Sequence, residues 1–178
     1  MLTPPRTFDL PHITLRPPVV SDAEAMFACG SDPEVGRFAD WPLATSIDRT
    51  IARIQGAGER WDSGEEYRWI LALPETDEAV GAISLFADGH AAEFGFLVQK
   101  RHWGNGYATE AACAVVDWVM DQPAIWRIWA TCDCENLASI RVLEKAGLSQ
   151  EGRLRRATVR PNLSPEPRDA YLYAKVKM

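Results

Sequence analysis

Apolar and polar positions along this chain repeat with two different periods, and the period selects the element. "HITLRP" (12–17) alternates as a first strand. "SDAE" (21–24) sets Glu24 three residues after Ser21, the spacing of a capping box, and predicts a helix that Gly30 ends. Ile47, Ile51, Ile54 and Trp61 fall roughly on one face of a helix starting near Ser46. Three strand-like runs follow: "EYRWILAL" (66–73), "AVGAISLF" (79–86) and "AEFGFLV" (92–98). Their links, "PETDE" and "ADGHA", have the composition and length of antiparallel hairpin connections. Helical spacing returns up to Met120, "AIWRIWATC" (124–132) reads as strand, and "ASIRVLEKA" (138–146) reads as helix stopped by Gly147. Strands are expected near 148–154 and over 169–178, separated by the Pro-rich stretch "VRPNLSPEPR". Helices and strands interleave, yet the hairpins exclude a purely parallel sheet. The expected class is α/β (α+β), a single domain over 1–178 with a mixed, mostly antiparallel sheet flanked by helices.

Composition narrows the function classes. A net charge of −6 argues against a protein that tracks a phosphate backbone, so no nucleic-acid partner is expected. No apolar run approaches the roughly 18 residues of a membrane span, and "MLTPPRTFDLP" lacks the apolar core of a signal peptide. The expectation is a cytoplasmic protein with no membrane partner, monomeric or homodimeric. Four cysteines are expected as reduced thiols. Cys132 and Cys134 are two apart, but His12, His90 and His102 are scattered, so a zinc site lacks its remaining ligands and no metal is expected.

The most informative stretch is "QKRHWGNGYATEAACAVVDWVM" (99–120), where a strand passes through a Gly-rich turn into a helix. Unpaired backbone N–H groups and the helix dipole make such a junction a site for phosphate. A Walker loop is absent, and the last glycine of a dinucleotide fingerprint is replaced by Thr109. Arg101-His-Trp-Gly104-Asn-Gly106 fits R-x-x-G-x-G throughout.

With "YATEA" after it, this segment resembles the pyrophosphate-binding segment of the GNAT acyl-CoA N-acyltransferases, in particular the RimJ/RimL-like branch. "VGAISL" (80–85), "AEFGFLV", "ENLASIRVLEKAGL" (135–148) and "RDAYLYAKV" (168–176) keep the order and spacing of that branch. The resemblance implies an acetyl-CoA-dependent N-acetyltransferase acting on a primary amine, a protein N-terminus or a small molecule, by direct attack in a ternary complex. It implies a splayed strand pair holding acetyl-CoA, with backbone groups of Leu97 and Val98 on its pantetheine arm. The N–H groups of Arg101, His102, Trp103, Gly104, Asn105, Gly106, Tyr107 and Ala108 would hold the pyrophosphate.

Asn136, by resemblance, bonds the same arm; as a helix-starting asparagine it also reads as an ordinary N-cap. Glu93, inside an apolar strand, is the candidate general base. By resemblance to RimL-like enzymes Ser139 is the candidate acid for the departing thiolate, with water as the alternative, because Leu143 occupies a position where many GNAT enzymes outside this branch carry tyrosine. Trp41, before Pro42, is expected in one wall of the acceptor site, with the Pro-rich loop opposite. Two other readings are a non-catalytic acyl-CoA-binding or sensing module, which would not need Glu93 and Ser139, and a dinucleotide-dependent oxidoreductase, which Thr109 and the hairpins disfavour.

Overall fold

Eight strands hydrogen-bond in one sheet, and the site depends on a single weak join within it. In the computed structural model, which describes residues 2–177, the strands are β1 (Phe8–Asp9), β2 (Thr14–Arg16), β3 (Tyr67–Ala72), β4 (Ala79–Asp88), β5 (Ala91–Val98), β6 (Arg127–Asp133), β7 (Ser149–Arg160) and β8 (Ser164–Val176). Their spatial order is β1-β2-β3-β4-β5-β6-β8-β7. Every neighbouring pair is antiparallel except β5 and β6, which run parallel. The helices are α1 (Ala23–Ser31), α2 (Ile47–Gln55), α3 (Ala57–Ser63), α4 (Tyr107–Asp121) and α5 (Leu137–Lys145). The expected mixed sheet with flanking helices is the fold observed.

Strand alternation assigns the two faces. Tyr67, Trp69 and Leu71 of β3 point into the larger core with Phe94 of β5, Val115 and Val119 of α4, and Leu143 of α5. Trp61 of α3 joins them, its ring 5.0 Å from that of Trp69 in an edge-on contact. The intervening positions, Ile70 and Ala82, meet Met26 and Cys29 of α1 on the opposite face. Glu93, Gly95 and Leu97 lie on this α1 side, because they alternate with Ala92 and Phe94.

Local structure departs from the sequence reading at several points. Ser21 does not cap α1: a short 3-10 turn at Val20–Asp22 precedes the helix, and the buried Asp22 carboxylate accepts from Val19 N (2.8 Å) and pairs with Arg16 (2.8 Å). The helix runs past Gly30 to Ser31, and Asp32 is extended ahead of Pro33, which disfavours further helix. The helix from Ser46 is two helices that meet at Gly56; Ser46 caps the first by accepting from Asp48 N. The Pro-rich stretch is not a long loop. Strands β7 and β8 extend through it as a hairpin, leaving a tight turn at 161–163. Trp41, Trp103 and Trp126 are exposed. Met178, the end of the expected last strand, lies outside the described residues. The four cysteines are free thiols, and burial pushes Cys132 up to about 11.

Candidate active site

The parallel join between β5 and β6 is only three residues long: Ala91↔Arg127, Ala92↔Ile128 and Glu93↔Trp129. Beyond Glu93 the two strands part. Strand β6 stays paired along its whole length with β8, from Arg127↔Val176 to Asp133↔Ala170, and β5 stays paired with β4 out to Gly81↔Val98. Each therefore turns one unpaired edge toward the other, across a wedge. Helices α4 and α5 begin just beyond the C-terminal ends of β5 and β6, so both helix N-termini lie at the wide end. Open sheets bind ligands at such a place.

Register decides which backbone groups line the wedge. Gln99 N donates to Val80 O at 2.8 Å, so residues 80 and 99 are a hydrogen-bonded pair. Alternation then pairs Leu97 with Ala82, and directs the N–H and C=O of Phe94, Phe96 and Val98 to the other edge. The backbone groups of Leu97 thus face β4, not the wedge as expected, and Phe96 is the neighbour that presents its own there. Val98 also faces this edge; its carbonyl accepts from Trp103 Nε1 at 2.8 Å, which leaves its N–H free. The signal for Phe96 was a parity that only the observed register supplies.

The turn before α4 is also more selective than its motif. His102 N and Trp103 N donate to Gln99 O (2.9 Å) and Lys100 O (3.1 Å), closing a 3-10 turn, so these two N–H groups are already used. The Arg101 guanidinium donates to Gln99 Oε1 (2.9 Å) and pairs with Glu78, and Lys100 pairs with Glu34. Their charges brace the turn. Asn105 Nδ2 donates to His102 O at 3.1 Å, and the Tyr107 ring packs 6.2 Å from that of His102.

What remains is backbone. The first hydrogen bond of α4 runs from Glu110 N to Gly106 O (3.0 Å), so the N–H groups of Gly106, Tyr107, Ala108 and Thr109 have no partner within the helix. Gly104 and Gly106 both have φ of +84°, and a Cβ built on either meets no heavy atom within 4 Å. Left-handed backbone favours glycine at both positions, and the space above these free N–H groups is open.

Glu93 is the last residue of the parallel join, half-buried at the point of the fork. Burial, reinforced by the negative charge of Asp40, raises its pKa above the ordinary carboxylate value. Asp40 belongs to the connection between α1 and α2, far from Glu93 in sequence, and nothing local marked it. Asn136 accepts from Ser139 N at 3.2 Å, so it caps α5 and spends its Oδ1 there, leaving Nδ2 available. Ser139 is half-buried in the first turn of α5, and the buried Leu143 lies one turn on along the same face.

Trp41 is exposed in the α1–α2 connection. Asn162, in the β7–β8 turn, binds that connection at three points: its Nδ2 donates to Trp41 O (2.9 Å) and Gly36 O (2.8 Å), and its Oδ1 accepts from Leu43 N (3.1 Å). The α1–α2 connection and the β7–β8 turn are therefore tied together.

A family model described as an acetyltransferase (GNAT) domain matches residues 12–149. The chain belongs to the GNAT acetyltransferase family. It is 33% identical over 169 residues to the uncharacterized N-acetyltransferase YoaA of Bacillus subtilis (strain 168), covering 93% of this chain and 94% of that protein. Among solved structures, a GNAT-family acetyltransferase from Bacillus anthracis superposes with a TM-score of 0.82 at 25% identity, over 96% of this chain and 98% of the other. RimL, the ribosomal L7/L12 alpha-N-protein acetyltransferase, in complex with coenzyme A, has the same fold: TM-score 0.82 at 21% identity, over 96% and 97%. This GNAT chain is thus an acetyltransferase with the family's splayed sheet, and among its described residues no helix is long and apolar enough to cross a membrane.

Proposed function

We propose that this GNAT chain transfers the acetyl group of acetyl-CoA to a primary amine by direct attack, with both substrates bound together. The observation that carries the reading is the coincidence of three features at one fork: an unpaired β5 edge, an unpaired helix N-terminus under open space, and a half-buried carboxyl group with a raised pKa.

Acetyl-CoA, when bound, supplies a thioester carbonyl and a thiolate leaving group. Backbone groups of Phe96 and Val98 pair with its pantetheine arm as an added strand would. The N–H groups from Gly104 to Thr109 face its pyrophosphate. Asn136 Nδ2 offers one more donor to the arm.

Glu93 removes a proton from the acceptor's amine. Its raised pKa makes it a stronger base than an ordinary carboxylate. As the C–N bond forms and the C–S bond breaks, Ser139 gives its hydroxyl proton to the sulfur and regains one from solvent. Leu143 cannot take this role. Trp41 forms part of the acceptor mouth.

Single-turnover acetylation with pre-bound acetyl-CoA tests the reading. Glu93→Gln should bind acetyl-CoA as tightly as wild type, by calorimetry, yet transfer it about 10²–10⁴-fold more slowly, the usual contribution of a general base. Wild-type protein that binds acetyl-CoA but acetylates no amine of a broad panel would instead leave a non-catalytic binding module.

A further inference from the structure

Glu66, just before β3, holds an ionic cluster on the same sheet face as Glu93. Its carboxylate is 3% exposed and accepts from Ser84 Oγ (2.7 Å), Arg53 Nη2 (2.8 and 3.1 Å), Arg60 Nε (3.2 Å) and Arg68 Nη1 (3.4 Å). Among the described residues, the ion pairs of all three arginines end on Glu66 alone. Three guanidinium groups around one carboxylate leave two positive charges uncompensated. A network serving only to tie α2 and α3 to the sheet would be better balanced with one arginine fewer, because like charges gathered around one buried carboxylate repel.

The arginines differ in what they have left to give. Arg60 is committed, since its Nη2 also donates to Arg53 O. In this cluster Arg53 uses only Nη2, and its side chain is 52% exposed. Arg68 uses only Nη1, on Glu66 and Ser84. Each can still present part of its planar fork, the geometry that matches a carboxylate or phosphate.

Register connects the cluster to the fork. Arg68, Ser84 and Gly95 form one row across β3, β4 and β5. One step beyond the Tyr67↔Leu85 pair, Glu66 lies in the row of Phe86 and Glu93. Phe86 is 40% exposed, and a Cβ on Gly95 would meet nothing within 4 Å. An open ledge of Phe86 and Gly95 therefore runs from Glu93 to the arginines, two strand spacings or about 10 Å at the backbone.

We propose that the acceptor is a primary amine that also carries an anionic group, a carboxylate or a phosphate, bound by Arg53 and Arg68 while its amine lies at Glu93 and its carbon chain on Phe86. The assignment rests on the acetyltransferase reading above and names the acceptor class for that site.

Matched acceptors test it: an ω-amino carboxylate against its amide, and an aminoalkyl phosphate against the amino alcohol, each read as thiol released from acetyl-CoA. The charged member of at least one pair should exceed its neutral partner by about tenfold or more in kcat/KM, a ratio within reach of one charge-assisted hydrogen bond. Whichever pair discriminates names the anion. Arg53→Gln should abolish the ratio through KM for the charged member, and Arg53→Lys should restore part of it. Equal rates within both pairs, or an Arg53→Gln enzyme slowed alike on charged and neutral acceptors, would overturn the proposal. If no amine is acetylated, the Nε–H resonances of Arg53 and Arg68, titrated with the same ω-amino carboxylate and aminoalkyl phosphate, separate the two ideas. Movement of those resonances keeps the anion site while the enzyme reading fails; no movement with either compound removes the site.

Discussion

Asn162 donates to the carbonyl of Trp41 at 2.9 Å, across 121 positions of sequence, and so fastens the β7–β8 turn to the α1–α2 connection. Its other two bonds, to Gly36 O and Leu43 N, make the amide side chain a clasp with all its reach on one loop. Asp40, whose charge helps raise the Glu93 pKa, lies within the clasped segment.

Asn162→Ala should therefore free the loop without disturbing the sheet. Net loss of these bonds is expected to cost about 1–2 kcal/mol in denaturant titration, because each is worth roughly 0.5–1.5 kcal/mol and the turn is partly solvated. Amide exchange at Leu43 should quicken, while exchange in β4 and β5 stays slow. Unaltered exchange at Leu43 would show that the loop is held by other contacts. Asn162→Asp retains the acceptor for Leu43 N but loses both donors, and should fall between the two.

Substitution at Gly106 separates backbone strain from ligand obstruction. Its φ of +84° strains an alanine, whereas asparagine tolerates left-handed backbone better. Gly106→Asn should keep a near-normal melting temperature and still weaken acetyl-CoA binding by about tenfold or more, since its side chain enters the open space above the helix start. Gly106→Ala should lose both. Calorimetric titration beside thermal melts reads the two effects, and a stable Gly106→Asn protein with wild-type affinity would remove the anion cradle.

The raised pKa of Glu93 has a definite sign in the rate profile. The proposed base works only when ionised, so kcat/KM should fall as pH drops through a value above the ordinary carboxylate range, near ~4.3 for glutamate. Asp40→Asn removes the like charge and should move that limb toward lower pH. A limb unmoved in Asp40→Asn would mean that burial alone sets it, or that another group titrates.

Ser139→Ala and Asn136→Ala should part company despite sharing a turn of α5. In the proposed mechanism the serine's hydroxyl protonates the leaving thiolate, so its loss should slow single-turnover transfer with acetyl-CoA affinity nearly unchanged. Asn136 caps the helix through Ser139 N, so its loss should cost about 0.5–2 kcal/mol of stability and loosen cofactor binding. A Ser139→Ala enzyme as fast as wild type would make water the acid.

Two acids tie stability to pH. Asp133, buried and bonded to Arg168 at 2.7 Å, and Glu66 within its arginine cluster are both held below their ordinary pKa values. Burial opposes this in each. At Asp133 the Arg168 hydrogen bond, the hydrogen bond from Glu135 N and the charges of Arg168 and Arg160 together outweigh it, and at Glu66 the Ser84 hydrogen bond and the charges of Arg53 and Arg68 do so together. Groups depressed on folding stabilise fully above their unfolded pKa and lose that contribution as pH falls through the folded one. Denaturant midpoints should thus decline from about pH 5 downward. Asp133→Asn should be less stable at neutral pH and show a shallower decline; an identical slope would assign the acid sensitivity elsewhere.

The chain order of elements, the central hairpins and the left-handed glycine turn before α4 were legible in the sequence because each is local. Period-2 and period-3.6 patterns identify strands and helices, and glycines at 104 and 106 mark a backbone that other residues resist. Glu93 stood out for the same reason, a charge inside an apolar strand. Choosing Phe96 over Leu97 required a register, which depends on where β4 lies, and a one-residue slip exchanges every edge group. The long β7–β8 hairpin escaped notice because exposed strands with prolines carry little periodic signal. Asp40 beside Glu93, Asn162 on Trp41, and three arginines on Glu66 are meetings of distant segments. No local pattern encodes them, since only the packing of α1, α2 and the hairpin around the sheet brings those charges and donors within reach.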